Sequence, residues 1–209
     1  MPEKVESWGK DLIDQIGSLF IQLKIRPNGI TIVALSLGFI SGILFSFGKH
    51  LLGGIAIILC GFMDILDGRV ATNTNRTSLF GAIFDSALDR YSEFFIYIGL
   101  AVYFRHSWPL WITFWTFLGS TMVSYTRARA EGLGFECKIG IMQRAERLTI
   151  LALGSIIGSI FNIIDPVLIG VLLTIAVFSN ITAIQRILHV KKLENQRKNQ
   201  NGNKTNGKN

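Results

Sequence analysis

The chain has 209 residues, of which 49% are hydrophobic and only 17% are charged, and its mean hydropathy is +0.41. This composition excludes an ordinary soluble domain and predicts one membrane domain with polar ends. The net charge of +7 indicates orientation in a membrane rather than a nucleic-acid partner, because Lys and Arg are retained on the cytoplasmic side. Cys60 and Cys137 lack metal-ligand neighbours and predict no disulfide framework.

The N-terminal segment has the pattern of an amphipathic helix. Apolar residues recur at helical spacing through residues 3–24, with charged residues between them. We therefore predict a juxtamembrane helix over residues 1–25 that lies in the membrane interface. A helix packed on a soluble core is the alternative. The segment lacks a basic start followed by an apolar core, so it is not expected to be a cleavable signal peptide.

The segment 26–190 is predicted to form the membrane domain. About 20 helical residues cross the hydrocarbon core of a bilayer. The chain is therefore expected to be an all-α, polytopic membrane protein with six transmembrane helices, the second of which continues to about Gly68. The predicted spans correspond to six apolar stretches, at 30–47, 51–63, 79–104, 108–125, 148–164 and 167–184.

The distribution of basic residues orients these spans. With the N-terminus inside, the outside loops contain only Lys49 and Arg105 of the 21 Lys and Arg residues. This asymmetry predicts that both termini lie on the cytoplasmic side. Residues 191–209 are polar, Asn-rich and without apolar periodicity, so a disordered basic tail is predicted there.

Four aspartates lie at the predicted cytoplasmic ends of the second and third spans. Asp64 and Asp67 are three residues apart, and Asp85 and Asp89 are four apart, so each pair falls on one face of its helix. A short loop joins the two helices, which are expected to be neighbouring and antiparallel. Both pairs then meet at one end. Charged residues inside spans are costly and therefore indicate a functional site.

Four converging carboxylates repel one another unless protons or cations neutralise them. Two Mg²⁺ ions would balance the four charges, and oxygen ligands suit Mg²⁺, Mn²⁺ or Ca²⁺ rather than zinc. Gly68 and Gly81 beside the aspartates would let a bulky ligand approach the backbone. Two other interpretations remain open, a carboxylate-lined cation channel or transporter and buried salt bridges with Arg69, Arg76 and Arg90.

The segment from Asp64 to Asp89 resembles the signature of the CDP-alcohol phosphatidyltransferase family, D-x-x-D-G-x-x-A-R-x8-G-x3-D-x3-D. Every fixed position and every spacing matches except one, where Thr72 replaces the arginine. Pro27-Asn28 before the first span is also similar to the start of the membrane domain in this family. The six-span pattern extends the resemblance over about residues 20–188.

The resemblance implies an enzyme that transfers a phosphatidyl group from a CDP-activated lipid, such as CDP-diacylglycerol, to an alcohol and releases CMP. It implies two metal ions, Mg²⁺ or Mn²⁺, held by the four aspartates, with Asp89 also acting as the base. It further implies a homodimer. The CDP-lipid is expected to contact residues of the motif and its surroundings, namely Gly68, Ala71, Thr72 and Gly81, with Arg69 and Arg76 as candidates for the charge that Thr72 lacks.

Two further segments, 124–131 and 140–148, carry arginines on the predicted cytoplasmic side. From the residues alone, they either contact anionic headgroups or bind an anionic acceptor, since Arg pairs with phosphate in a bidentate manner. The segments resemble the branch of the family that makes phosphatidylinositol phosphate in bacteria, and its archaeal ether-lipid counterpart, although Gln143 replaces a glutamate.

This second resemblance implies inositol 1-phosphate as the acceptor, with glycerol 3-phosphate as the alternative. Arg127, Arg144 and Arg186 are the candidate ligands of its phosphate. The active site is then expected on the cytoplasmic side, in contact with membrane lipids.

Overall fold

A computed structural model describes residues 15, 17–18, 20–21, 27–74 and 78–206, without the side chains of 200–206. The described residues form six helices and no strand, which confirms the all-α prediction. Most of the predicted interfacial helix over 1–25 lies outside the described residues, although Phe20 and Ile21 pack against buried residues of the first two helices. The helices are α1 (Pro27–Ser46), α2 (His50–Asn73), α3 (Leu79–Tyr103), α4 (Pro109–Gly132), α5 (Arg144–Ile160) and α6 (Ile164–Asn206).

Short turns reverse the chain between successive helices, and the sequence explains where they fall. Gly48, between α1 and α2, has a φ of +71°, a conformation that glycine adopts without strain. The Ser78 hydroxyl accepts a hydrogen bond of 2.9 Å from the Gly81 N–H and so caps α3. Pro109 begins α4, where a missing N–H removes no helical hydrogen bond. These breaks make neighbouring segments antiparallel.

The six helices close into a ring. Helix α1 packs against α2 and α3, α2 against α5, α5 against α6, α6 against α4, and α4 against α3. Consecutive helices α2 and α3, expected to be neighbours, each pack on α1 and are not among the closely packed pairs in the described part of the chain. Their aspartate-bearing ends therefore face one another across a space. The interior of the ring is filled by apolar side chains that include Phe45, Ile57, Ile96, Leu100, Leu151, Leu168, Leu172 and Ile175.

The outer surface of the ring is apolar, with many large Ile, Leu, Phe and Trp side chains exposed. By length and composition, three of the described helices could cross a membrane: Pro27–Ser46, His50–Asn73 and Ile164–Asn199. Helix α5 has only 17 residues, α3 carries charged residues in its first half, and α4 is rich in Thr and Ser. The described residues thus contain six helices and three candidate spans, and the count of six spans stays a prediction.

Helix α6 extends into the segment 191–209, for which a disordered tail is predicted. Residues 191–206 continue α6 as helix, and residues 207–209 lie outside the described chain. Lys198 pairs with Glu194 at 2.7 Å, one turn earlier, an arrangement that stabilises an exposed helix. The guanidinium of Arg197 lies 4.8 Å from the centre of the Phe135 ring. A polar segment stays helical here because it extends a helix that is already nucleated.

Helices α1 and α3 approach each other at glycines. A Cβ added at Gly99 would overlap the carbonyl oxygen of Gly42, and one added at Gly38 would overlap the side chain of Ser92. Small residues of this kind let membrane helices pack backbone to backbone. This contact seats α3 on α1 and so sets the distance from α3 to α2.

We expect Gly99→Ala to destabilise the protein by roughly 1–3 kcal/mol, because the two backbones must separate to admit the methyl group. Gly170→Ala is the matched control, since a Cβ at Gly170 meets no atom within 4 Å. The measurement is thermal unfolding of the purified protein in detergent, followed by circular dichroism. Equal midpoints for the two variants would contradict the close approach of α1 and α3.

Candidate active site

Three of the four predicted aspartates converge where the ends of α2 and α3 face each other. One carboxylate oxygen from each of Asp64, Asp67 and Asp85 lies within 4.8 Å of the other two. Asp67 is buried, and Asp85 Oδ1 is buried without a hydrogen-bond partner among the described residues. Anionic oxygens at this spacing repel one another and fit a hard divalent cation such as Mg²⁺ or Mn²⁺, which prefers oxygen ligands.

Asp89 stands beside this group and faces two arginines. Arg144 Nη2 lies 2.9 Å from Asp89 Oδ1, and Arg90 Nη1 lies 3.7 Å from Asp89 Oδ2. Arg144 Nη1 also donates a hydrogen bond of 2.7 Å to Asp64 Oδ2, whereas its contact with Asp89 is an ion pair without hydrogen-bond geometry. Arg90, one of the predicted salt-bridge partners, is therefore in place, but the shorter contacts come from Arg144.

Thr31 of α1 is a site residue that sequence analysis missed. Its hydroxyl donates a hydrogen bond of 2.8 Å to Asp67 Oδ2, and both side chains are buried. The same hydroxyl lies 3.2 Å from the Pro27 carbonyl oxygen of its own helix. The contact with Asp67 fixes one carboxylate oxygen and leaves the other for the space between α2 and α3. No local pattern marks Thr31, because 36 positions separate it from Asp67.

A cavity of about 250 Å³ lies beside Asp67 and Asp85, between α1, α2 and α3. A Cβ added at Gly68 would meet no atom within 4 Å, so the backbone there is open to the cavity. The Thr72 hydroxyl donates to the Gly68 carbonyl at 2.9 Å, which turns this side chain back onto its own helix. Four residues predicted to contact the CDP-lipid line the cavity, namely Gly68, Ala71, Thr72 and Gly81.

Two further residues, Arg69 and Arg76, were predicted to contact the CDP-lipid. Arg69 is half-buried on α2 and is not among the residues that line this cavity. Arg76 lies outside the described residues. The cavity is instead completed by residues of α1 and of the start of α3, which are Pro27, Asn28, Thr31, Ser78 and Ala82.

A larger cavity of about 710 Å³ lies on the other side of the aspartates. Asp64 and Asp89 line it together with all three arginines predicted to bind the acceptor phosphate, Arg127, Arg144 and Arg186. The remainder of its wall is mostly apolar and comes from α2 and α5. Residues from five helices thus meet in one space, and they include two aspartates and three arginines that the sequence predicted for the site.

The three arginines differ in their present contacts. Arg127 pairs with Glu131 at 2.9 Å, and its side chain is 42% exposed. Arg186 is buried and donates to the backbone carbonyls of Ile139, at 2.8 Å, and Val123. Arg186 therefore also ties the loop before α5 to α4 and α6. Arg127 is the more available of the two for a ligand.

A buried ion pair lies one helical turn deeper than Asp89 and Arg144. Arg147 donates from Nε and Nη2 to the two carboxylate oxygens of Glu93, at 2.8 and 3.0 Å. The two side chains are 0% and 3% exposed. A buried pair keeps its charges only when it is hydrogen-bonded in this complete way. The pair holds the start of α5 against α3 and so places Arg144 beside the aspartates.

We expect Thr31→Val to weaken Mn²⁺ binding by about 10-fold, because the loss of one hydrogen bond to a carboxylate costs roughly 1.5 kcal/mol. Thr113→Val is the matched control. The buried Thr113 hydroxyl also donates to a carbonyl one turn earlier, that of Pro109 at 3.1 Å, but contacts none of the four aspartates. Mn²⁺ affinity is measured by the electron paramagnetic resonance signal of the free ion. Equal affinity in both variants would remove Thr31 from the site.

Known proteins of similar sequence and structure indicate the family of this chain. An archaetidylinositol phosphate synthase from Pyrococcus horikoshii is 37% identical over 193 residues, which cover 92% of this chain and 97% of the relative. A crystal structure of phosphatidylinositol phosphate synthase (PgsA1) from Mycobacterium tuberculosis with CDP-DAG bound superimposes with a TM-score of 0.78. It is 27% identical, and the match covers 86% of this chain and 94% of that chain.

A second structure of the M. tuberculosis enzyme, in complex with manganese and citrate, matches with the same TM-score of 0.78 and 27% identity, over 85% of this chain and 88% of that chain. The family model of CDP-alcohol phosphatidyltransferases matches residues 24–184, which include all four aspartates and every residue that lines the two cavities except Arg186. The match decides for an enzyme and against a cation transporter. As the motif from Asp64 to Asp89 predicted, the chain belongs to the CDP-alcohol phosphatidyltransferase family.

Proposed function

We propose that the protein transfers the phosphatidyl-type group of a CDP-activated lipid to inositol 1-phosphate and releases CMP. One observation carries the choice of acceptor: Asp64 and Asp89 share a cavity with Arg127, Arg144 and Arg186. An anionic polyol in that cavity lies next to the carboxylates and finds cationic partners for its phosphate. The names of the P. horikoshii and M. tuberculosis relatives support the same acceptor.

We place the nucleotide end of the CDP-lipid in the smaller cavity, against Gly68, Ala71 and Gly81. Its pyrophosphate then lies next to Asp67 and Asp85. The CDP-DAG complex of the M. tuberculosis enzyme supports a donor of this class. Thr72 supplies no positive charge here, and we propose that Arg69 and Arg76 compensate for the arginine that the family motif has at this position.

We propose that the four aspartates bind two divalent ions, Mg²⁺ or Mn²⁺. When bound, the ions neutralise the pyrophosphate and orient it for in-line attack. Asp64, Asp67 and Asp85 act as ligands. Asp89 lies at the border between the aspartate group and the acceptor cavity, which is where a base must stand to take the proton of the attacking hydroxyl. The manganese complex of the relative supports a metal of this kind.

We propose that the membrane domain, 26–190, crosses the bilayer six times, with the interfacial helix over 1–25 and both termini on the cytoplasmic side. The described helices support this orientation. The ends of α2 and α3 that carry the aspartates and the start of α5 lie together, while Lys49 and Arg105 lie in turns at the other end. The active site then faces the cytoplasm. We also propose a homodimer, as the family resemblance implies.

The function is tested by a transfer assay in proteoliposomes that contain CDP-diacylglycerol. We expect CMP release with inositol 1-phosphate and Mg²⁺ or Mn²⁺, little release with free inositol or serine, and none with EDTA. The arginines explain the preference, because an acceptor without phosphate makes no use of them. Faster turnover with glycerol 3-phosphate than with inositol 1-phosphate would contradict the proposed acceptor but not the family reaction.

In the same assay, Arg127→Ala should raise the KM for inositol 1-phosphate by about 10- to 100-fold, because a charge-assisted contact is lost. The KM for the CDP-lipid should stay nearly unchanged. Arg129→Ala is the matched control, since Arg129 is exposed two positions along α4 and lines neither cavity. An effect of Arg127→Ala on the CDP-lipid alone would contradict the proposed acceptor site.

The donor site is tested separately with Gly68→Ala. We expect the KM for the CDP-lipid to rise at least about 10-fold, because the added methyl group occupies space that a well-packed ligand must use. Thermal stability should not fall, since no protein atom lies within 4 Å of the new Cβ and Ala favours a helix more than Gly does. Gly170→Ala, equally open in the fold, should leave the KM unchanged and likewise should not lower thermal stability. A normal KM in Gly68→Ala would exclude this cavity as the nucleotide site.

A further inference from the structure

Arg144 belongs to the aspartate group and to the acceptor cavity at the same time. Its Nη1 and Nη2 lie 2.7 Å from Asp64 Oδ2 and 2.9 Å from Asp89 Oδ1, and its side chain lines the 710 Å³ cavity. One guanidinium group thus contacts two proposed metal ligands and stands where the acceptor phosphate is proposed to bind. Arg144 cannot keep these contacts once a divalent cation binds the same carboxylate oxygens, because the cation and the guanidinium group repel each other.

The conflict is sharpest at Asp89. Both of its oxygens face guanidinium groups, Oδ1 that of Arg144 and Oδ2 that of Arg90 at 3.7 Å. The three aspartates whose oxygens lie within 4.8 Å of one another do not include Asp89. A metal ion that takes Oδ1 of Asp89 as a ligand must therefore displace Arg144. A metal ion held by Asp67 and Asp85 has no such competitor among the contacts of the described residues.

The cavity beside Arg144 has room for the displaced guanidinium group. Arg144 is the first residue of α5, and the cavity it lines also holds Arg127 and Arg186. Its Nε is buried without a hydrogen-bond partner among the described residues, so a rotation of the side chain breaks no hydrogen bond at Nε. The backbone of α5 need not move, because the buried pair of Arg147 and Glu93 anchors it one turn deeper.

We propose that Arg144 is exchanged between the carboxylates and the acceptor. It competes with the second divalent ion for Asp89 and Asp64, and binding of that ion frees it to bind the acceptor phosphate. Metal ion and acceptor therefore bind with positive coupling, which by thermodynamic linkage is the same in both directions. The inference rests on the proposed function, because it requires the metal site and the anionic acceptor.

The first test measures Mn²⁺ binding to the full-length protein in detergent, without CDP-lipid and without turnover. We expect Arg144→Gln to bind the more weakly held Mn²⁺ about 10-fold more tightly than the wild type, because a competing cation is gone. Arg144→Lys, which keeps the charge but loses the two-pronged contact, should fall between them. Arg129→Gln removes the same charge from an exposed position and should change the affinity less than about 2-fold.

The second test measures the coupling itself. Inositol 1-phosphate should tighten Mn²⁺ binding to the wild type, after correction for Mn²⁺ bound by the free phosphate, and this effect should be lost in Arg144→Gln. Unchanged or weaker Mn²⁺ binding in Arg144→Gln would overturn the exchange and make Arg144 a support of the ligands. Absence of Mn²⁺ binding in the wild type and in both variants would instead remove the proposed metal site, and the inference with it.

Discussion

The structure depends on holding like charges close together in apolar surroundings. Asp64, Asp67 and Asp85 bring carboxylate oxygens within 4.8 Å of one another, an arrangement that is unfavourable without cations or hydrogen-bond donors. Thr31 donates to Asp67 from α1, and Arg144 contacts Asp64 from α5. Each of these donors comes from a different helix. The arrangement of the aspartates therefore depends on the packing of α1 and α5 around α2 and α3.

The ring in turn explains why the aspartates have space around them. Helix α1 seats both α2 and α3, and the glycine contact at Gly42 and Gly99 brings α3 close to α1. In the described part of the chain, α2 and α3 pack mainly on α1 and touch each other through Cys60 and Ser92, and a gap remains between their aspartate-bearing ends. One cavity opens from this gap towards Gly68 and the other towards Arg127. The two cavities flank the carboxylates, which suits a reaction in which the attacking and leaving oxygens stand in line.

The arginines at and behind the site have different contacts and therefore different roles. Arg147 is committed to Glu93 in the interior, and Arg186 ties two backbone segments together. Arg127 is more exposed, and its partner Glu131 lies on the same helix. Arg144 lies between these extremes, since its partners are the aspartates themselves. The buried pair of Arg147 and Glu93 fixes the backbone of α5. The side chain of Arg144, one turn earlier, can then exchange partners while its helix stays in place.

The sequence by itself determined the helical class, the family and the four aspartates. These features are local: spacings of three and four residues fix which side chains share a helix face, and composition fixes which segments avoid water. It also named the arginines that meet in one cavity, through resemblance rather than through any local rule. The sequence predicted a disordered tail where α6 continues through residues 191–206, because a polar composition does not reveal that a helix already formed will continue.

Only the tertiary structure determined which residues from different helices contact each other. Thr31 and Asp67 are 36 positions apart, Glu93 and Arg147 are 54 apart, and Asp64 and Arg144 are 80 apart. Nothing in the pattern of a single helix specifies such pairs, because periodicity fixes a direction around one axis and not the identity of the helix that lies there. The packing of α1 against α2 and α3, and of α5 against α2, chose these partners. That packing set Asp89 against Arg144 and left the other three aspartates to converge.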